Sequence, residues 1–424
     1  MKRAGSMARA PGRVEIGGNR NIAEALGDAL LEAGRDEIIA DSLTHPVHTY
    51  PARLHPATAR GLVELIGSRM REGESLLDPF CGSGTTLVEA RYCGYPAIGV
   101  DLNPLAVRLA RWKTWTAPVG RRREARDLGL RIATEVMAAG KDARRSGFTP
   151  APKRGPKGFD PNARSRLVGK WFSPHIRREL ETIASAIDDV RTDDEELAEF
   201  LTMALSAALY KVSHRKSDTD PTWVERNVPR GAAARWFGER VSMVTAGLED
   251  LAQGRRPLPV VYEADARDLV KLKLPPIGGV VTSPPYAGTY DYADHHKLRF
   301  DFLGIRHRKL DEQELGPRRA FAANSLAAGH AWREAQVDWV GAIADVLVPG
   351  GWAAFVVGDS LAGTRAMYAD DDLRAALDDR LAVVAWAWQE RPMLGAVERT
   401  AFADRGKREH IVVVERRPDA PPLR

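Results

Sequence analysis

Short unbroken apolar runs and longer stretches with apolar residues at helical spacing are grouped along this chain, not mixed at random. Ser75-Leu76-Leu77-Asp78 and Ala97-Ile98-Gly99-Val100 read as short buried strands. A Gly-rich turn and a helix from about Thr85 lie between them. Strand, turn, helix, strand is a βαβ unit, which predicts a parallel sheet. Apolar runs return at Val260-Val261-Tyr262, Gly279-Val280-Val281-Thr282, Trp352–Val357, Leu381–Trp388 and His410–Val414. A helix around Trp332–Leu347 ends at the Pro349-Gly350-Gly351 turn.

Between the two β/α stretches, residues 111–255 read as helical. Ser173-Pro174 is an N-cap followed by proline at the first helical position. Ile176, Leu180, Ile183 and Ile187 then recur at helical spacing. Leu197, Phe200, Leu201, Leu205 and Leu209 form a second stripe, and Trp236, Val241, Val244, Leu248 and Leu251 a third. Such stripes are core-forming faces. The pattern predicts an α/β sheet domain with helices on both faces, interrupted by a mainly helical insertion. The expected boundaries are an N-terminal extension over 1–40, a sheet domain from 41–110 and 256–418, and an insertion over 111–255.

At 424 residues the chain is long enough for two to three domains of roughly 100–200 residues, or one large domain with an insertion. Its 44% hydrophobic and 28% charged residues exclude a wholly disordered chain. The longest apolar stretches, such as Leu381–Trp388, fall far short of the ~18 residues of a membrane span. Met1-Lys2-Arg3 opens without an apolar h-region, which predicts no secretory signal. Two cysteines, Cys81 and Cys93, exclude a disulfide framework and fit a cytoplasmic location. The histidines and cysteines show no zinc-ligand spacing, so no metal is expected.

The net charge of +5 says little until it is located. Arg111–Lys170 holds 16 Lys/Arg against 5 Asp/Glu. Such a block suits a polyanion partner, or it is a solvated linker broken up by Pro150, Pro152, Gly155, Pro156, Gly158 and Pro161. A second basic stretch, Ser213-His214-Arg215-Lys216-Ser217, is followed by Trp223, Arg226 and Arg230.

Two motifs carry chemistry. In Asp78-Pro79-Phe80-Cys81-Gly82-Ser83-Gly84-Thr85-Thr86 a buried strand runs into a tight glycine turn and then a helix. Glycine lets backbone approach a ligand closely, and the helix start offers free N–H groups. Asp101 ends the next strand, 19 residues after Gly82, where a carboxylate accepts from ribose hydroxyls. A nicotinamide dinucleotide site competes, but Leu87 stands where its third glycine belongs. The second motif, Ser283-Pro284-Pro285-Tyr286, follows a strand directly. Its prolines fix the backbone and leave carbonyls free to accept, Ser283 adds a hydroxyl, and Tyr286 adds an aromatic face. An exocyclic amine on a base needs such a set.

Together these residues resemble the DNA amino-methyltransferases that use S-adenosylmethionine. The resemblance covers about 45–110 and 258–415, and serine at the head of the second motif is most like the cytosine-N4 members. It implies a Rossmann-like methyltransferase sheet. It implies a cofactor site at Tyr50, Asp78, Phe80, Gly82, Gly84, Thr85, Asp101 and Asp265, and a catalytic loop at Ser283, Pro284, Pro285 and Tyr286. Tyr50 belongs to His48-Thr49-Tyr50-Pro51-Ala52-Arg53, which resembles the segment closing over the methionine end of the cofactor. The implied substrate is double-stranded DNA with its target base flipped out, with a separate restriction or defence protein as a further partner. In the resembling class the target-recognition region lies between the two motifs; here the insertion falls before Asp265 rather than after it. Arg215, Lys216, Arg226 and Arg230 of the insertion are the expected DNA contacts. Adenine N6, an RNA base, and a nucleic-acid-binding module with a decayed methyltransferase core are the alternatives. Cytosine C5 chemistry is excluded, because neither cysteine sits in a Pro-Cys loop.

Overall fold

A computed structural model describes residues 12–35, 37–146, 168–217, 220, 222–253 and 257–418. The prolines and glycines of 150–161 fall outside the described residues. Among the described residues, eight strands form one sheet in the order β4-β3-β2-β5-β6-β10-β9-β1. They are β1 (Val14–Gly18), β2 (Ser75–Asp78), β3 (Ala97–Asp101), β4 (Val260–Glu263), β5 (Ile277–Thr282), β6 (Leu347–Gly358), β9 (Leu381–Glu390) and β10 (Arg408–Arg416). Two further strands, β7 (Ser360–Ala362) and β8 (Arg365–Met367), form a small ribbon of their own. Strands β4, β3, β2, β5 and β6 run parallel, and β10 lies antiparallel between β6 and β9. The strand order reverses between β2 and β5. In open α/β sheets a ligand crevice forms at that switch point, beyond the carboxyl ends of the strands. Both chemical motifs leave the sheet there.

Strand residues alternate between two cores, as their period of two requires. Leu76, Val281, Ala354, Val356 and Val413 face one core. Leu77, Val280, Ala353, Phe355 and Val412 face the other. With both faces covered, the central strands read as unbroken apolar runs. The first core is closed by α1 (Arg20–Arg35), α3 (Pro56–Gly67) and α4 (Thr85–Cys93), with the short α2 (Glu37–Ala40) between the first two.

The insertion begins after α5 (Pro104–Lys113). It comprises α6 (Val119–Ser146), α7 (Pro174–Arg191), α8 (Glu195–Leu209) and α9 (Ala232–Leu251). The stripes expected on the last three are buried: Ile176, Leu180, Leu201, Leu205, Val241 and Leu248 are at most 1% exposed. Their core is continuous with Leu105 and Trp112 of α5 and with Phe300 and Phe302 of α10 (Tyr292–Leu303). The chain then passes through α11 (Arg308–Gln313) and α12 (Arg318–Ala323) to α13 (Ser325–Val346). Helix α13 and α14 (Ala369–Ala376) close the second core, and α15 (Ala396–Ala401) follows β9.

One expectation is corrected here. Residues 14–35, expected as part of an extension, belong to the sheet domain. β1 pairs antiparallel with β9 over Val14–Gly18, and α1 packs on α3 and β9.

Glu89 of α4 is fully buried and ties the helix to its surroundings. It accepts from Arg60 Nε at 2.7 Å and from His45 Nε2 at 2.6 Å. Burial pushes His45 down to about 4 despite this carboxylate, so the imidazole is neutral at pH 7. Replacing Glu89 by alanine strands both partners, and losing a buried partner of a charge costs about 3 kcal/mol or more. Glu89→Ala is expected to lower the urea midpoint with no change in slope; an unaltered midpoint rules the anchor out.

Candidate active site

The glycine turn after β2 is built on backbone that only glycine adopts without strain. Gly82 has φ +50° and Gly84 has φ +85°. A Cβ on Gly84 would also lie 3.0 Å from the Ala110 backbone, so the turn and α5 pack too closely for a side chain. Gly84 caps α4 with no side-chain hydrogen bond.

Asp101 organises the turn from the end of β3. Its Oδ2 accepts from Gly82 N at 2.8 Å and its Oδ1 from Asn103 N at 2.8 Å. Each oxygen keeps lone-pair capacity toward the cleft that Asp101 lines. Burial pushes the Asp101 carboxyl up to about 6, against the two backbone N–H groups that lower it. Above Gly82 lies the ring of Tyr50, 3.4 Å from where a Cβ would stand. Tyr50 stacks on His296 at 4.9 Å, and its hydroxyl accepts from Asn103 Nδ2 at 3.2 Å.

One cleft, open to solvent, collects residues from both motifs. Tyr50, Phe80, Gly82, Asp101 and Asp265 line it, together with Ser283 and Pro285. Seven of the twelve expected cofactor and catalytic residues therefore share one cavity. Asp265 caps the short helical turn Ala266–Leu272 and pairs with Arg267 at 2.6 Å. Phe80 meets the Trp339 ring edge-on at 5.4 Å.

Asp78, Gly84, Thr85, Pro284 and Tyr286 do not line this cleft. Asp78 is 3% exposed and accepts from Thr282 Oγ1 at 2.7 Å and Phe80 N at 3.1 Å. It joins the ends of β2 and β5 at the switch point, and burial pushes its carboxyl up to about 6. Pro284 and Tyr286 line a smaller neighbouring cleft of about 270 Å³, and Pro285 forms the wall between the two. The Tyr286 ring lies against Gly358, where a Cβ would come within 2.5 Å of it, and its hydroxyl reaches Glu409 Oε1 at 3.4 Å. Asp359, also at the end of β6, accepts from Ala369 N and Arg408 N at 2.9 Å, which holds the β6 end together.

Tyr292, Asn103 and Glu314 line the main cleft without having been expected there. Asn103 is the N-cap of α5, accepting from Leu105 N at 3.0 Å, and the Asn103-Pro104 pair was the available signal. Glu314 accepts from Tyr292 N at 2.5 Å and Arg319 Nη1 at 2.6 Å, which holds the outer wall in place.

The four expected DNA contacts separate. Arg215 is 3% exposed and is corrected to a buried residue. Its guanidinium donates to the Tyr210 hydroxyl at 3.1 Å and the His295 carbonyl at 3.4 Å, and lies over the Tyr210 ring at 4.9 Å. Lys216 and Arg230 are exposed, and Arg226 is half-buried.

The family model for the RMKL-like methyltransferase domain (UPF0020) matches residues 45–128. The Type II methyltransferase M.MjaII of Methanocaldococcus jannaschii is 24% identical over 72% of this chain and 68% of its own length. The Type II methyltransferase M.MvaI of Kocuria varians is 29% identical over 42% of this chain and 36% of its own. TrmN from Thermus thermophilus, a crystal structure, aligns with a TM-score of 0.35 at 14% identity, over 88% of this chain and 52% of that one. The methyl donor is S-adenosylmethionine. The residues present fit it: a glycine turn open to close approach at Gly82, an Asp101 carboxylate with free acceptor capacity, and aromatic rings of Tyr50 and Phe80 lining the same cleft.

Proposed function

We propose that this S-adenosylmethionine-dependent methyltransferase acts on DNA and methylates the exocyclic N4 amine of cytosine in a flipped-out base. One observation carries the reading: Ser283 and Pro285 line the same cleft as Gly82 and Asp101, so an amine-accepting loop and a cofactor turn share one cavity. The two Type II methyltransferase relatives support DNA as the substrate. A separate restriction or defence partner belongs to the same reading.

When bound, the cofactor supplies an electrophilic methyl group. Gly82 gives it room, Gly84 lets the turn pack on α5, and Asp101 would orient it through its ribose. Tyr50 and Phe80 present aromatic faces suited to a cation. The amine of cytosine is a weak nucleophile, because its lone pair is shared with the ring. Hydrogen bonds from its N–H groups to the Ser283 hydroxyl and the Pro284 carbonyl favour a pyramidal nitrogen with a localised lone pair. Rigid acceptors at the right distance supply most of the catalysis in such a site. Tyr286 is the residue that stacks on the base. Lys216, Arg226 and Arg230 grip the flanking phosphates.

Incubating plasmid DNA with methyl-labelled cofactor, then digesting to nucleosides, tests this. Label in N4-methylcytosine is the expected outcome. Label in N6-methyladenine moves the reading to adenine, and label entering RNA alone overturns DNA as the substrate.

A further inference from the structure

The insertion displays an aromatic residue that its own packing does not explain. Two short segments, 213–217 and 222–224, pair as the arms of a hairpin, with Lys216 N donating to Thr222 O at 2.9 Å and Val224 N to His214 O at 2.7 Å. Trp223 lies across from Arg215 in it. The indole is 52% exposed. It is nonetheless held in one orientation. His214 stacks on one face at 5.1 Å and 27°, and the indole N–H donates to the Lys170 carbonyl at 3.2 Å. His214 is its only ring-stacking partner among the described residues. A large indole fixed on one side and open on the other is a stacking platform.

Its surroundings choose the partner. Lys170 and Lys216 are exposed beside it, and Arg226 is tied to the hairpin by Nη2 donating to the Lys216 carbonyl at 2.7 Å. Asp220 is paired with Lys216 at 2.8 Å, and Asp218 and Glu225 are the other acidic residues of this stretch of sequence. Cations around an open aromatic face suit a polyanion that carries planar rings, which describes nucleic acid with a base outside its duplex stack.

The platform is also tied to the cleft. Arg215 donates from beneath the hairpin to the His295 carbonyl, as does the Tyr210 hydroxyl. Three residues earlier on the same helix, Tyr292 lines the cavity with Asp101 and Ser283.

We propose that Trp223 stacks on an unpaired base of the DNA molecule whose target base enters the cleft, with Lys216 and Arg226 on the adjoining phosphates. The inference rests on the nucleic-acid reading of that cleft. It places recognition in one side chain of the insertion, and it replaces the buried Arg215 as the contact to test.

The test uses the full chain, fluorescein-labelled single-stranded DNA of mixed sequence, RNA of the same sequence, the matching duplex, and heparin as a polyanion without bases. Trp223→Ala is expected to bind the single strand about ten- to a hundredfold more weakly, the loss of one base–aromatic stack. Trp223→Phe should recover most of that loss. Heparin and cofactor affinity should stay within about twofold of wild type, which also shows that the variant is folded. Unchanged single-strand affinity in Trp223→Ala overturns the proposal, as does an equal loss toward heparin. Preferential loss toward RNA overturns the choice of DNA. Methyl transfer to plasmid DNA by the wild type is scored separately, so failure of the substrate reading is distinguishable from failure of the stacking residue.

Discussion

Asp101→Ala is expected to weaken S-adenosylmethionine binding by about 2–4 kcal/mol, roughly 30- to 1,000-fold, as charge-assisted hydrogen bonds of about 1.5–3 kcal/mol each are lost. The carboxylate does two things at once. It offers acceptors to the cofactor ribose, and it holds Gly82 and Asn103 through their N–H groups at 2.8 Å. Alanine removes both, so the glycine turn loosens as the ligand contact goes. Asp101→Asn keeps one acceptor and should fall between. The pH dependence separates the charge from the shape. Asp101 is pushed up to about 6 by burial, so it is ionised at pH 7.5 and takes up a proton as pH falls through 6. Cofactor affinity should then drop, by at most tenfold per unit for one proton, and Asp101→Asn should lack that group's share of the drop. The same shift has the opposite sign for the ligand-free fold. A carboxyl raised from 3.8 to about 6 binds more protons folded than unfolded, so its contribution to stability declines as pH rises from about 4 to about 6. Titration calorimetry from pH 5 to 8 measures the first effect, and urea melts across the pH window just given for the fold measure the second. Cofactor affinity unchanged in a folded Asp101→Ala variant removes Asp101 from the site.

The elements visible in the sequence are those with a single cause. Leu76-Leu77 and Val280-Val281 are buried on both faces, so composition alone marks them as strands. The Asp78–Thr86 turn is marked by glycines that the backbone requires at Gly82 and Gly84. The features that were missed depend on contacts distant in the chain. β1 is a strand because β9 offers it an edge, and its five residues carry little apolar signal of their own. Arg215 reads as a surface cation in a basic stretch. It is buried because Tyr210, Trp171 and the His295 carbonyl surround it, and all three come from outside that stretch. Tyr292 and Glu314 have no motif, since they line the cleft only because the chain after the catalytic loop wraps back over it. The insertion reads as separate in the sequence because its helices carry complete apolar stripes. In the fold those stripes share one core with α5 and α10, which places the insertion beside the cleft.

Ser283→Ala is expected to cut the rate of methyl transfer about 100-fold, the scale seen when one preorganised hydrogen-bonding group is removed from an active site. Cofactor affinity should stay within about twofold. The reason lies in how the two motifs divide the cleft. The cofactor turn is held by Asp101, Asn103 and Tyr50, none of which is bonded to Ser283. Ser283 instead enters at the end of β5, beside the wall that Pro285 makes between the two cavities. Its loss therefore removes an acceptor for the amine without disturbing the turn. Tyr286 provides the internal comparison. Its ring fills the space against Gly358, so Tyr286→Ala should open a void, loosen the loop and lower both turnover and stability. Tyr286→Phe keeps the ring and gives up the hydroxyl's contacts to Glu409, at 3.4 Å, and to Ser283, so it should keep the packing of the loop and most activity. Single-turnover transfer with saturating cofactor separates these cases. A Ser283→Ala enzyme with wild-type single-turnover rate would falsify the acceptor role and leave the Pro284 carbonyl as the group that holds the amine.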